Sequence, residues 1–271
     1  MTSNNPLHLA SARRIASRDN PLYRDLLQLT GVSGARKRRE VCLIEGIHLC
    51  EAFLTTGAAP IRVVVADDAL QNPQVLDLLQ RFGLDPVILS ASLYRPLSAV
   101  EHGVGLAIVI DIPRPVLPQR LEQDALYLDR LQDPGNVGTI LRTCAAVGIR
   151  TVITAPGTAG CWSPKVLRAG MGAHFHLSIH ESVAWSELGA RIAMEVRATT
   201  AAATTLLWNT DLSAPALWLL GQEGSGLAPE LLAQATRKVA IPQSESVESL
   251  NVGVAAALCL YEQMRQRQGR D

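Results

Sequence analysis

Aromatic side chains are scarce in this sequence and net charge is missing. Phe, Trp and Tyr together make up 4% of its 271 residues. So thin a supply excludes a surface that grips single-stranded nucleic acid mainly by stacking bases on rings. The 25 basic and 25 acidic side chains cancel, so there is no global field for a polyanion, although an even total can conceal a local excess. Five cysteines (Cys42, Cys50, Cys144, Cys161 and Cys259) are scattered, odd in number and without a Cys-x-x-Cys pair. That excludes a disulfide framework and a zinc site, and leaves reduced core thiols in a cytoplasmic protein. Residues 1–10 lack the charged start and apolar run of a signal peptide. The longest apolar run, near Val252–Leu260, is too short to cross a bilayer, so no membrane partner is expected. No Gly-Lys-Ser/Thr phosphate loop, Gly-x-Ser-x-Gly elbow or metal-ligand cluster occurs.

What is present is a globular composition, 48% hydrophobic and 18% charged, and enough length for two domains. The local charge excess lies in residues 1–40. There Arg13, Arg14, Arg18, Arg24, Arg36, Lys37, Arg38 and Arg39 face only Asp19, Asp25 and Glu40. A run of this density attracts a phosphate backbone through counterion release; without such a partner it is a solvated face. Pro21 with Leu22, Leu26, Leu27 and Leu29 predicts an amphipathic helix ending near Gly31. Strands at Val41–Ile44, Ile61–Val65, Pro86–Leu89 and Leu106–Ile110, with helices at 46–56 and 73–82 between them, predict a small α/β domain over residues 1–112. Residues 113–121 follow as a linker, because Ile112-Pro-Arg-Pro-Val-Leu-Pro118 can continue neither sheet nor helix.

Residues 122–271 alternate again, as parallel strands with crossover helices would. Strands are expected at Ala125–Leu128, Thr151–Thr154, Phe175–Ile179, Glu195–Ala198, Ala216–Leu220 and Val239–Ile241. Helices are expected at 137–147, 164–169 with Ser163 as cap, 186–193, 229–235 and 250–266.

Three clusters fall where a strand gives way to a helix, the edge at which open α/β sheets bind ligands. The first is Asp133-Pro-Gly-Asn-Val-Gly-Thr-Ile-Leu-Arg-Thr143, in which Asn136 can cap the helix and Arg142 lies nearly two turns on. The second is Gly221-Gln-Glu-Gly-Ser-Gly226, three glycines around the Glu223 carboxylate. The third is Ile241-Pro-Gln-Ser-Glu-Ser-Val-Glu-Ser-Leu-Asn-Val-Gly-Val254, with Ser249 and Asn251 opening the last helix. The glycine spacing is not the dinucleotide fingerprint.

In this order the three clusters resemble the motifs of the SpoU family of RNA 2′-O-ribose methyltransferases, within the SPOUT superfamily. Asn136-x-Gly138-x-x-x-Arg142-Thr143, Gly221-x-Glu223-x-x-Gly226-Leu227, Ile241-Pro242 and Ser249-Leu250-Asn251-Val252 carry the match. Trp162–Ala173 is similar to a family segment with an RNA-side arginine, here Arg168. More loosely, residues 1–112 resemble the family's substrate-binding domain of ribosomal-protein-like fold. The resemblance implies an α/β domain with a trefoil-knotted, mostly parallel sheet, S-adenosylmethionine as cofactor, a homodimer, and structured RNA as substrate, ribosomal RNA ahead of transfer RNA. It implies catalytic roles for Arg142, Asn136, Glu223, Ser249 and Asn251, and cofactor contacts at Gly221, Ile241 and Leu250. Arg168, Lys165, Arg36, Lys37, Arg38 and Arg39 would meet RNA. No metal is implied. Gln243, Glu245 and Ser246 stand where the family commonly has Met and glycine, so Glu245 either reaches a polar part of the cofactor or narrows its pocket. A catalytically silent RNA-binding factor on the same fold is the competing reading, and a nicotinamide oxidoreductase a weaker one.

Overall fold

The computed structural model describes residues 9, 12–31, 36, 38–100, 103–244, 246 and 249–268. Its contacts divide the chain into two units. The first joins Met1–Pro113 with Trp162–Phe175, and the second joins Arg114–Cys161 with His176–Asp271.

The first unit is built on a five-stranded mixed sheet in the order β1-β4-β3-β5-β2. Its strands are β1 (Arg14–Ile15), β2 (Val41–Glu45), β3 (Arg62–Ala66), β4 (Pro86–Leu89) and β5 (Leu106–Asp111). β1, β4 and β3 run parallel, whereas β5 runs antiparallel to both β3 and β2. Val63, Val64, Val65, Ile88 and Ile108 are buried, because β-branched side chains at the centre of a covered sheet pack on both faces. Helices α1 (Pro21–Gly31), α2 (Ile47–Thr55), α3 (Pro73–Arg81) and the short α4 (Ala91–Tyr94) belong to it. Asn72 caps α3 by accepting from the Gln74 N–H, with Pro73 at the first helical position. Gly46 joins β2 to α2 at φ 93°, a left-handed conformation that a side chain would strain.

The second unit holds six parallel strands in the order β11-β9-β10-β6-β7-β8. They are β6 (Ala125–Leu128), β7 (Thr151–Thr154), β8 (Ser178–His180), β9 (Glu195–Thr199), β10 (Ala216–Leu220) and β11 (Arg237–Val239). Every residue of β6 and β10 is buried, as expected of parallel strands covered on both faces. Among the helices, α5 (Pro134–Ala146), α7 (Trp185–Leu188), α8 (Pro229–Gln234) and α9 (Val252–Gln268) belong to this unit, and α6 (Pro164–Gly170) to the first.

Several local expectations are corrected. The strand expected at Phe175–Ile179 begins only at Ser178, and Phe175 and His176 lie on a 3-10 turn, Ala173–His176. The helix expected at 186–193 is the single turn α7 followed by a 3-10 turn, Gly189–Arg191. Ser163 precedes α6 without a side-chain capping bond. Val239–Ile241 is displaced toward the N-terminus, with β11 ending at Val239. The two-residue β1 and the short α4 were too brief to leave a periodic signal.

α9 is fixed to its sheet by a buried polar knot. Arg197 on β9 is fully buried; it donates to Glu195 (2.6 Å), to the Leu212 carbonyl (3.1 Å) and to Gln263 on α9 (3.0 Å). The same Gln263 oxygen accepts from the Trp218 indole at 2.7 Å. A buried guanidinium tolerates this position only while its donors are matched. Gln263→Leu is therefore expected to lower unfolding free energy by about 2–4 kcal/mol, seen as a lower urea midpoint at unchanged slope.

Candidate active site

The strand order of the second unit reverses between β10 and β6. β6, β7 and β8 step outward in one direction, and β9 to β11 lie on the other side. Such a reversal opens a crevice beyond the carboxyl ends of the strands, because the connections leave in opposite directions. Leu220 is paired with Leu128, so the loops after β10 and β6 start side by side at this point. These loops carry Gly221–Leu227 and Gln132–Gly138.

Their side chains form a directed hydrogen-bond chain. Asn251 opens α9, and its Oδ1 accepts from the N–H groups of Gly253 (2.9 Å) and Val254 (3.3 Å). Its amide nitrogen is thereby left to donate to Asn136 Oδ1 at 2.9 Å. The Asn136 amide donates in turn to Glu223 Oε1 at 2.9 Å. Backbone donors at one end and an acceptor-only carboxylate at the other fix both amide orientations. Glu223 also accepts from the Gln132 N–H at 3.5 Å. Partial burial pushes its carboxyl upward. The bonds from Asn136 and from the backbone N–H groups of Glu223, Gln132 and Asp133 outweigh that and hold it below its ordinary value.

Gly221 is a glycine for steric reasons. A Cβ there would stand 2.1 Å from the Leu227 nitrogen and 2.2 Å from the Gly226 carbonyl carbon. The loop folds back tightly, with Gln222 and Gly226 exchanging backbone hydrogen bonds of 3.0 and 2.9 Å, and Gly226 takes φ +68°. Beside it lies an open cleft of about 570 Å³, lined at the carboxyl ends of β9, β10 and β11 and by the start of α9. Gly221, Glu223, Ile241, Ser249 and Leu250 all border it. Leu227, Leu232 and Val252 add apolar wall. The volume suits a nucleoside-sized ligand, and the mixture of exposed loop backbone, apolar wall and one carboxylate suits a cofactor with both an adenosine and a charged amino-acid part.

The remaining expected residues are placed differently. Asn136 is not the cap of α5: Asp133 is, accepting from Gly135 N–H at 2.7 Å, while Asn136 is buried and turned toward Glu223. Arg142 lies six residues on, exposed on α5, and makes no hydrogen bond or ion pair among the described residues. Lys165 and Arg168 are exposed on α6. Arg36 is engaged, donating to the Leu29 carbonyl (2.7 Å) at the end of α1. Burial holds its guanidinium below its ordinary value. Arg39 pairs with Asp25 at 3.0 Å, and Arg38 is exposed. Lys37 and Glu245 lie outside the described residues.

Sequence reasoning passed over Asp129. It follows β6 directly, is 3% exposed, and accepts from the Ala228 N–H at 3.0 Å, closing the end of the Gly221–Leu227 loop. A carboxylate at the end of a wholly apolar strand was the available signal. Thr199–Ala201 also borders the cleft.

A six-stranded parallel sheet with a ligand cleft and an amide–carboxylate chain at its switch point defines a cofactor-binding α/β enzyme domain. The profile of the SpoU rRNA Methylase family matches residues 124–261. An uncharacterised tRNA/rRNA methyltransferase of Synechocystis is 34% identical over 261 residues, covering 93% of this chain and 94% of that protein. A 23S rRNA guanosine 2′-O-methyltransferase of Bacillus subtilis is 29% identical, covering 92% and 98%. The AdoMet-bound rRNA methyltransferase of Sinorhizobium meliloti superposes with a TM-score of 0.80 at 26% identity, covering 94% and 98%. The chain belongs to the SpoU rRNA methylase family.

A carboxyl held below its ordinary value adds stability that is complete above that value, 4.5, and is lost as pH falls through the lowered one. The stability difference between wild type and Glu223→Gln is therefore expected to be flat above about pH 5.5 and to shrink below about pH 4.5. Urea titrations across that range measure it; a constant difference down to pH 3 contradicts the assignment.

Proposed function

We propose that this protein transfers a methyl group from S-adenosylmethionine to a ribose 2′-hydroxyl of structured RNA, with ribosomal RNA the substrate class. The observation that carries the reading is the Asn251–Asn136–Glu223 chain, which binds three family motifs into one wall beside the cleft. Bound in the cleft, S-adenosylmethionine supplies an electrophilic methyl on a sulfonium. Gly221, Ile241 and Leu250 are the residues that hold it, through loop backbone and apolar contact.

The protein's own part is positioning and electrostatics. A 2′-hydroxyl is a poor nucleophile at neutral pH, and in-line placement supplies much of the rate. A guanidinium is a donor-only group and a poor general base, so the role of Arg142 is to hydrogen-bond the hydroxyl or an adjacent phosphate and stabilise the developing alkoxide. Glu223, Asn136, Ser249 and Asn251 orient substrate and arginine. Arg168 and Lys165 on α6, with Arg38 and the neighbouring basic stretch of the first unit, meet RNA phosphates. The knotted path is part of the same reading: after β11 the chain returns to the loops of β6 and β10 to set Asn251 on Asn136.

Arg142 has no intramolecular partner among the described residues, and this reading supplies one from a second copy of the chain. α9 buries one face on its own sheet but leaves Val254 49% and Tyr261 47% exposed. With the half-buried Leu258 they form one stripe at helical spacing. Thr139 packs 3.5 Å from the Gly253 Cβ position and stands one turn before Arg142 on α5. The apolar stripe and the arginine thus adjoin, and a homodimer formed there assembles the site from both chains.

Two outcomes test this. Arg142→Ala should keep S-adenosylmethionine affinity within about threefold while methylation of RNA falls by about 10³ or more; a variant with wild-type turnover contradicts the role. Tyr261→Glu with Val254→Glu should sediment as a monomer and lose methylation. A silent RNA-binding factor predicts no calorimetric heat with millimolar S-adenosylmethionine.

A further inference from the structure

We propose that a half-open cavity of the first unit receives an unstacked guanine base of the RNA substrate. This rests on the function argued above and names where that RNA is gripped. The cavity, about 320 Å³, opens where β2 gives way to α2. Leu43, Leu97, Val104, Leu167 and Met171 supply apolar wall, a surface that favours a flat heteroaromatic over a hydrated group. Met171 lies just beyond α6, 52% exposed at φ 48°. A thioether so presented makes favourable contact with a ring, and RNA is read mainly through loop bases splayed out of the stack. In a chain with 4% aromatics, an unstacked base has to be held by aliphatic burial.

Glu45 gives the cavity its chemical selectivity. Its carboxylate is held in place by Ser98 Oγ, which donates to Oε1 at 2.5 Å, and by the Ala99 N–H, which donates to Oε2 at 2.8 Å. Ser98 and Ala99 take one acceptor position on each oxygen, the buried Tyr94 phenol lies against the same carboxylate, and a carboxylate can only accept. The base edge offering two adjacent donors is that of guanine, N1–H and N2–H. Gly103 keeps the carboxylate clear, since a Cβ there would stand 2.7 Å from Oε1. At the rim, Arg168 is exposed with only a 3.5 Å contact to the Ala99 carbonyl, and His48 and Thr30 line the opening. Arg36 contacts the Thr30 carbonyl at 3.5 Å. A carboxylate in the lining argues against a wholly apolar occupant, and the Arg168 cation suits a phosphate flanking a base.

The experiment uses the full chain labelled with ¹³C at its methionine methyls, of which the sequence has four. The Met171 resonance is the one lost in Met171→Leu. Guanosine 5′-monophosphate and uridine 5′-monophosphate are titrated without S-adenosylmethionine. Guanosine monophosphate should move the Met171 resonance saturably, and uridine monophosphate should not. Val104→Trp fills the cavity from a rim position that is 36% exposed. It should abolish the shift and lower kcat/KM for RNA by about tenfold or more, with S-adenosylmethionine affinity unchanged. A silent Met171 at millimolar guanosine monophosphate, in protein that methylates RNA, overturns the inference and leaves the function standing. Equal shifts with both nucleotides overturn the role of Glu45. A guanosine-specific Met171 shift in protein that methylates no RNA supports the cavity and overturns the methyltransferase reading alone.

Discussion

The hydrogen bond from Asn251 to Asn136 and onward to Glu223 is the constraint on which the site depends. It joins residues 115 and 87 positions apart in the chain. Each member has its direction imposed by its neighbours: α9's first N–H groups orient Asn251, Asn251 orients Asn136, and Asn136 presents donors to a carboxylate. A chain with both ends fixed has one arrangement, so the loop after β10 and the start of α9 cannot move independently. The cleft lies between them, which makes preorganisation of its walls a property of the polar chain and not of the apolar residues that line it.

That chain is only as well placed as the elements it connects. The fully buried strands β6 and β10 set the Gln132 and Gly221 loops in register, since Leu128 and Leu220 are paired neighbours. α9 is held at its far end by Gln263, shared between Arg197 and Trp218, and by Arg267, paired with Asp124. Asn251 therefore stands at the free end of a helix anchored elsewhere. Asp129 secures the exit of the glycine loop through the Ala228 N–H. Glycine at 221 is what lets that loop close at all, because its Cβ position is occupied by backbone.

How much of this could be read from sequence follows from how local each feature is. The apolar runs Ala125–Leu128 and Ala216–Leu220 needed no context, and the structure gives them the same bounds. The three motif loops were found at strand–helix junctions by residue type and order. Asn136 was misjudged as a cap because its true partner is distant, while the nearer Asp133 satisfies the helix end. Phe175 and His176 were expected to open a strand, yet the chain places them in a 3-10 turn. The charge count overstated the free cations of the first unit, since the Arg36 guanidinium is spent on carbonyls at the end of α1. Grouping of Trp162–Phe175 with the first unit had no local signal either, because it depends on contacts made far along the chain.

If the polar chain organises the cleft, its two ends act together on cofactor binding. Among the described residues the hydrogen bonds linking Glu223 to Asn251 pass through Asn136, so a double-mutant cycle of Glu223→Ala and Asn251→Ala isolates that link. S-adenosylmethionine affinity of wild type, both single variants and the double variant is measured by calorimetry. A coupling of about 1 kcal/mol or more is the predicted result, because either single change already frees the shared wall. Effects that add to within about 0.5 kcal/mol contradict it.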